Sequence, residues 1–376
     1  MGGIYIHIPF CKQQCHYCDF HFSTSLKKKN DLLLALVSEI RLRKAFFENT
    51  KIETIYIGGG TPSLLSADEI NELYHHLNTH FDLSEVNEIT IEANPDDLTK
   101  EKIQSYKSTP INRFSIGVQS FQNEDLKYMN RAHTATQAKS CIKDIQNAGW
   151  ENISIDLIYG LPTLSQKKWL NNLTQLVNLD IPHLSAYALT VEEKTPLHYA
   201  IKTGKQAPLD EKKCNQQFNT LMTYLSQNGL IQYELSNFCK PHFESKHNSS
   251  YWQQKKYLGL GPSAHSFDGK KRMWNIANNV RYIQSLKNEQ LNYTDELLTE
   301  TDHYNEYVLT SLRTKNGCDT NYLKTRFSSF FSDFFTKNQK KWVKSGEIEQ
   351  KNNSFVLTNR GKLIADFITS DFFYVD

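Results

Sequence analysis

Residues 4–20 read Ile4-Tyr5-Ile6-His7-Ile8-Pro9-Phe10-Cys11-Lys12-Gln13-Gln14-Cys15-His16-Tyr17-Cys18-Asp19-Phe20. A short β-rich run, Ile4–Ile8, leads directly into three cysteines spaced C-x3-C-x2-C. Three is the informative number. A closed structural zinc site takes four protein ligands, and disulfides consume cysteines in pairs. A [4Fe-4S] cluster held by three thiolates keeps one iron with positions open to a further ligand. The bland reading is a zinc site completed by His16 or a distant side chain. Such sites usually show paired C-x2-C knuckles, and one such pair is present here.

Outward from this stretch, β-rich runs alternate with segments of helical character up to about residue 190. The strand candidates are Ile4–Ile8, Thr54–Ile57, Glu88–Glu92, Arg113–Val118, Ile153–Ile158 and Leu184–Leu189. Amphipathic stretches lie between them, among them Asp31–Phe47, Ser66–His80 and Thr136–Ala148. Ser66 or Asp68 suits the cap of the second, and Gly149 follows the third as a C′ glycine should. Strand-then-helix units in series predict an α/β chain with a parallel sheet, either doubly wound or a TIM-like barrel. In β/α barrels the site is built at the C-terminal ends of the strands. Here those ends carry the cysteines, then Gly58-Gly59-Gly60-Thr61, Glu92, Gln119 and Asp156, which predicts one shared site.

Past residue 190 the sequence turns to helices mixed with glycine-rich and aromatic turns, then to helices and a short basic hairpin running from Lys341–Gly346 to Ser354–Thr358. A last helix is expected over Arg360–Phe373. The end of the chain therefore resembles a winged-helix module. The expected division is 1–230 for a β/α barrel, 231–296 for a connecting region and 297–376 for the C-terminal helical, winged-helix-like domain.

Composition excludes several classes. Forty-three basic residues against 41 acidic ones leave +2, which gives no bulk pull toward nucleic acid or an anionic membrane. The aromatic content of 12% argues against disorder. An odd count of seven cysteines, four of them scattered singly, suits a reducing compartment. The start of the chain has no secretory signal, and no stretch reaches the length of a bilayer span, so a cytoplasmic location is expected.

Glu92 and Asp156 are carboxylates set in apolar strands, so each needs a partner. The structural alternative is a salt bridge inside the barrel with Arg113 or Arg131. The other is recognition of a ligand, with Arg131 pairing a carboxylate in bidentate fashion. His247-Asn248-Ser249-Ser250-Tyr251-Trp252 is the second distinctive patch. A histidine beside aromatics is usually a packed turn. Imidazole is also an axial ligand of haem iron, and Tyr and Trp stack on flat rings.

Together, Tyr5–Cys11, the cysteine triplet, Gly58–Pro62, Gly117-Val118-Gln119-Ser120-Phe121 and Asp156–Pro162 resemble the oxygen-independent coproporphyrinogen III oxidase (HemN-like) family of the radical S-adenosylmethionine (SAM) superfamily. Within it the chain looks like the haem-chaperone branch, HemW. Oxidases of the family carry a fourth cysteine two residues after the third, where Phe20 stands here, and a substantial extension before the first strand. His247–Trp252 matches the His-Asn-x-x-Tyr-Trp motif of the chaperone branch. The resemblance implies a partial TIM-like (β/α)6 barrel with a [4Fe-4S] cluster on Cys11, Cys15 and Cys18. It implies SAM contacts from Tyr5, Tyr17, Gly59, Gly60, Thr61, Glu92, Gln119, Arg131, Asp156 and Ala188, with His265 toward the adenosine. It implies haem at His247, Tyr251 and Trp252, and delivery to apo-haemoproteins such as respiratory cytochromes at the membrane. A homodimer stays open, no nucleic-acid partner is expected, and oxidative decarboxylation of coproporphyrinogen III stays as the rival activity. On the motif alone, His247→Ala should weaken haem binding in a titration while leaving the cluster in place.

Overall fold

The computed structural model describes residues 1–48 and 50–375. Six parallel strands run in sequence order: β1 (Gly2–Ile8), β2 (Ile52–Gly59), β3 (Glu88–Ala93), β4 (Arg113–Gln119), β5 (Ile153–Tyr159) and β6 (His183–Ala188). Each matches a strand expected from sequence to within two residues at either end. The sheet is larger than six strands. Beyond β6 it continues antiparallel through β8 (Asn237–Cys239) to β7 (Ile231–Glu234). On the other side β9 (Lys256–Leu260) pairs parallel with β1, and β10 (His265–Phe267), β11 (Lys271–Asn275) and β12 (Tyr293–Leu297) follow antiparallel. The twelve strands have two ends and form a partial barrel. Residues 231–296, read above as a connection, thus supply six strands of the same sheet.

Apolar and polar residues alternate along most of β1–β4. Ile4, Ile6 and Ile8, Ile55 and Ile57, Ile89 and Ile91, and Phe114, Ile116 and Val118 are all buried in one apolar core. That core extends to helices such as Lys29–Leu42, Ala67–His80 and Ala135–Asn147. Ser66 caps the second of these in a reciprocal capping box with Glu69, while Asp68 lies in the first turn and caps nothing. The alternate residues are polar: Thr54 and Tyr56 on β2, Glu88, Thr90 and Glu92 on β3, Arg113 and Ser115 on β4, Ser154 and Asp156 on β5.

The N-terminal ends of β1–β3 are closed by the helix Lys246–Trp252. Its first two N–H groups, from Lys246 and His247, each donate to the Glu88 carboxylate at 2.9 Å. A carboxylate at a helix N-terminus satisfies donors that have no partner within the helix and meets the positive end of its dipole.

A second apolar core runs from Tyr304 to Phe372. It is built on the helices Glu300–Leu312, Thr320–Arg326 and Ser329–Ser345 and on a small sheet of β13 (Cys318–Asp319), β15 (Ser354–Leu357) and β14 (Ile348–Lys351). Lys341–Ser345, expected as a strand, is the last turn of a 17-residue helix that stops at Gly346 with φ of 87°. The hairpin starts only at Ile348. The expected final helix is two short ones, Asn359–Lys362 and Ala365–Ser370. Among the described residues, no helix is long and apolar enough to cross a membrane.

Replacing Glu88 with Ala leaves two N–H groups without their acceptor. It should cost about 2–4 kcal/mol of unfolding free energy in a denaturant titration.

Candidate functional site

One cavity of about 1010 Å³ opens at the C-terminal ends of the parallel strands. Of the residues expected at a shared site, Cys11, Cys15, Tyr17, Cys18, Gly59, Gly60, Thr61, Glu92, Gln119, Arg131, Asp156 and Ala188 all line it.

The cysteine loop leaves β1 at Pro9 and returns at Ser23. Its neck is pinned by Ser23 N–H donating to Pro9 O at 2.8 Å and Cys11 N–H donating to Ser23 O at 3.1 Å. Its far side is tied to the β4 loop: Gln13 Nε2 donates to Asn130 O at 2.7 Å, and Asn130 Nδ2 donates to Gln14 O at 2.7 Å. His16 Nδ1 is bonded to Tyr128 O at 2.9 Å, so that ring is directed at the loop support. All three cysteines are unpaired and half-buried. Burial pushes the Cys11 thiol up and the Cys18 thiol up to about 11, so binding iron must displace protons there. Arg131 Nη1 reaches Cys15 Sγ at 3.3 Å, while its Nη2 donates to Asn94 Oδ1 at 2.5 Å and Gly117 O at 2.9 Å. The guanidinium Nε is buried with no partner. Among the described residues no three His, Cys, Asp or Glu side chains converge on a single metal ion. Thiolates on separate corners of a cubane cluster need no such convergence, so the donor set fits a cluster: three free thiols beside a fixed cation.

The glycine loop after β2 packs directly under the cysteine neck. A Cβ on Gly60 would lie 2.6 Å from Phe10 O and 2.8 Å from Phe10 N, so the two loops meet only because the residue is bare. Gln119, at the end of β4, holds a φ of 62°, a left-handed conformation that a non-glycine residue rarely adopts.

The two carboxylates form the polar floor. Glu92 accepts from Tyr56 hydroxyl at 2.8 Å and from Gly59 N–H at 2.9 Å. Burial pushes its carboxyl up to about 7; the Tyr56 bond opposes the shift, Asp156 adds to it, and the Gly59 bond and Arg113 oppose it. Burial lifts Asp156 to about 6 against a bond from Ser185 and the charges of Arg113 and Arg131. Neither takes an arginine as a hydrogen-bonded partner; the arginines act on them through space.

Five expected residues are elsewhere. Tyr5 lies below the cavity, bonded to His7 Nδ1 at 3.1 Å and stacked on Tyr56. His265 is exposed on β10, stacked on Trp274, and does not line the cavity. His247, Tyr251 and Trp252 belong to the helix that closes the opposite end of the barrel. His247, weighed from sequence as a packed turn or a haem ligand, is 2% exposed.

Sequence reading missed the cavity rim. Phe20, Tyr187, Ile364 and Phe367 are apolar side chains 68%, 45%, 41% and 64% exposed, and Arg313 and Lys362 stand among them. Leu363–Phe367 brings the C-terminal module to the mouth. It also missed Tyr56, which polar alternation along β2 could have flagged; Arg113, named from sequence as a possible partner of the carboxylates, acts on both through its charge.

Residues 5–176 match the model of the Radical SAM superfamily. Coproporphyrinogen III oxidase (HemN) from Escherichia coli, described as a radical SAM enzyme, superposes with a TM-score of 0.85 at 23% identity, over 99% of this chain and 90% of that one. This is the fold of the barrel described above. The heme chaperone HemW of Bacillus subtilis is 32% identical over 99% of both chains. That of Lactococcus lactis is 32% identical over 96% of this chain and 94% of its own. That of Escherichia coli is 37% identical over 70% of this chain and 69% of its own. The chain belongs to the HemW family.

Two outcomes follow from the geometry. Gly60→Ala should force the cysteine loop off the glycine loop and lower iron and sulfide content after anaerobic reconstitution, with the far-UV circular dichroism retained. In cluster-free protein, a carboxyl held above its unfolded value contributes stability below the unfolded pKa and loses it as pH rises through the folded one. Glu92 should therefore cost stability between about pH 5 and 8. Glu92→Gln should flatten that decline by on the order of 3 kcal/mol at most, read from unfolding midpoints across the range.

Proposed function

We propose that the chain is a haem chaperone. It holds a [4Fe-4S] cluster on Cys11, Cys15 and Cys18 and SAM beside it, and it passes haem to apo-haemoproteins such as respiratory cytochromes. The single observation that carries the chaperone over the oxidase is Phe20. At the position where oxidases of the family have a fourth cysteine, an apolar ring stands 68% exposed on the cavity rim.

The bound cluster would supply the open iron that receives the amino and carboxylate groups of SAM. The chain's own residues supply the rest. The backbone of Gly59, Gly60 and Thr61 lines the wall where the amino group is read. Arg131 offers a fixed guanidinium with a free buried Nε for the carboxylate. Glu92 and Asp156 offer acceptors for ribose hydroxyls and the ammonium; a cation placed there would favour their ionised forms. Gln119, Tyr17 and Ala188 border the same space.

Haem is flat and apolar with two carboxylates. The rim of Phe20, Tyr187, Ile364 and Phe367 with Arg313 and Lys362 matches that chemistry, whereas His247 has no route to a ligand in this conformation. The domain division at about residue 297 agrees with the two separate cores. We place the protein in the cytoplasm, reaching membrane cytochromes through its partners.

Anaerobically reconstituted protein given SAM, reductant and coproporphyrinogen III should form no protoporphyrinogen IX, while a parallel titration shows haem binding. Product at catalytic turnover would overturn the chaperone and make the chain an oxidase.

A further inference from the structure

The helix Lys246–Trp252 is the one motif that the proposed chemistry leaves unused, and it is tied into the barrel from within. His247 Nδ1 is hydrogen-bonded to Thr54 Oγ1 at 2.8 Å, and Nε2 to the Tyr251 hydroxyl at 2.9 Å. Both ring nitrogens are engaged, so no lone pair is free for a metal. Burial, with the charge of Arg113, lowers the imidazole to about 3 and keeps it neutral. Space for it is reserved: a Cβ on Gly3 would lie 3.2 Å from the ring and 2.8 Å from Thr54 Oγ1. The imidazole lies nearly parallel to the Tyr56 ring, with centroids 5.1 Å apart and planes 25° from parallel. Tyr5 stacks on Tyr56 as well, at 6.1 Å and 28°. The Tyr56 hydroxyl then donates to Glu92 Oε1 at 2.8 Å.

We infer that His247 is a positioning residue for Glu92: held by Thr54 and Tyr251, its ring fixes Tyr56 so that the phenol meets the carboxylate at the cavity floor. This rests on the reading of Glu92 as a contact of SAM. Stacking on a ring removes the torsional freedom by which a tyrosine beside a cavity would swing away from its acceptor. A donor fixed in place before the ligand arrives costs nothing to order when it binds. The other groups acting on Glu92 are Gly59 N–H on β2, Arg113 on β4 and Asp156 on β5. None of them touches His247 by a hydrogen bond, so the support runs through Tyr56.

The test uses the full chain with Tyr251→Phe, His247→Ala, Tyr56→Phe and the double variant His247→Ala/Tyr56→Phe. Four quantities are measured: iron and sulfide after anaerobic reconstitution, SAM affinity by calorimetry, haem affinity, and the Glu92 carboxyl titration by isotope-edited infrared in cluster-free protein. Loss of a hydrogen bond to a charged group predicts SAM binding about tenfold weaker in either single variant. The double variant should be no weaker than the worse single by more than about twofold, because both act through one bond. The Glu92 midpoint should rise by up to about one unit in each, since the lost donor favours the ionised form. Cluster content and haem affinity should not move.

Haem affinity lost in His247→Ala, with SAM affinity and the Glu92 midpoint unchanged, would overturn the inference and make His247 a ligand. Strictly additive losses would overturn it too. If the unaltered chain binds no SAM, the cofactor reading fails, while the Glu92 midpoint still decides the positioning role. If His247→Ala does not fold, Tyr251→Phe removes one hydroxyl only; it should shift both readouts the same way by less, and no shift in either sinks the idea.

Discussion

A parallel sheet covered by helices ordinarily buries apolar side chains on both faces. This barrel buries isoleucine, leucine and phenylalanine on the outer face and turns Thr54, Tyr56, Glu92, Arg113, Ser115 and Asp156 inward. Charges taken out of water are tolerated only where other groups replace the water. Arg113, 2% exposed with an unpartnered Nε, is the centre of that arrangement, and its charge stabilises the ionised forms of both Glu92 and Asp156. The interior is therefore a network in which each polar group answers for another, and both ends of the barrel are shaped by it.

At the N-terminal ends of the strands the network must be sealed, because water entering there would dissolve the bonds that order Tyr56. The helix Lys246–Trp252 does this by supplying polar groups along with apolar bulk: backbone N–H for Glu88, imidazole for Thr54, phenol for His247. At the other end the network must stay open. Carboxylates raised to about 7 and 6 are groups whose ionisation is paid for only when a positive partner arrives. One polar core thus explains a plug at one end and a ligand cavity at the other.

Much of this was legible in the sequence. Short β-rich runs between amphipathic stretches located all six parallel strands, and the reactive residues at their C-terminal ends gave the wall of the cavity. The misses share a cause: position in the third dimension that no local pattern encodes. His247 sits beside an aromatic pair, which reads as a packed turn or a haem ligand, and no local pattern says what it packs against. Its burial depends on Gly3 and Thr54, which precede it by about two hundred residues. His265 is implied by the resemblance alone, yet β10 runs antiparallel at the far side of β9 and carries it away from the cavity. Lys341–Ser345 joins two β-compatible residues, Trp342 and Val343, but the preceding helical turns simply propagate through them until Gly346 ends the helix.

The rim bears on how a cargo would be released. Exposed apolar side chains grouped around a cavity mouth are costly in water and mark a surface that something covers. Phe20 comes from the cysteine loop, Tyr187 from β6, and Ile364 and Phe367 from the C-terminal module, so the covering ligand would bridge both cores. Arg313 spans the same junction, its guanidinium 5.0 Å over Trp252 of the plug while it lines the mouth. On the proposed reading a haem seated there would be held by contact area, with Arg313 and Lys362 near its carboxylates. Arg313 also pairs with Glu234 at 3.5 Å, and Lys362 also donates to Gln232 Oε1 at 2.8 Å. With His247 committed to Thr54 and Tyr251, the proposed site has no imidazole to lock the iron. On the proposed reading, holding haem through an apolar rim and screened charge pairs would let an apoprotein that offers a stronger iron ligand take it.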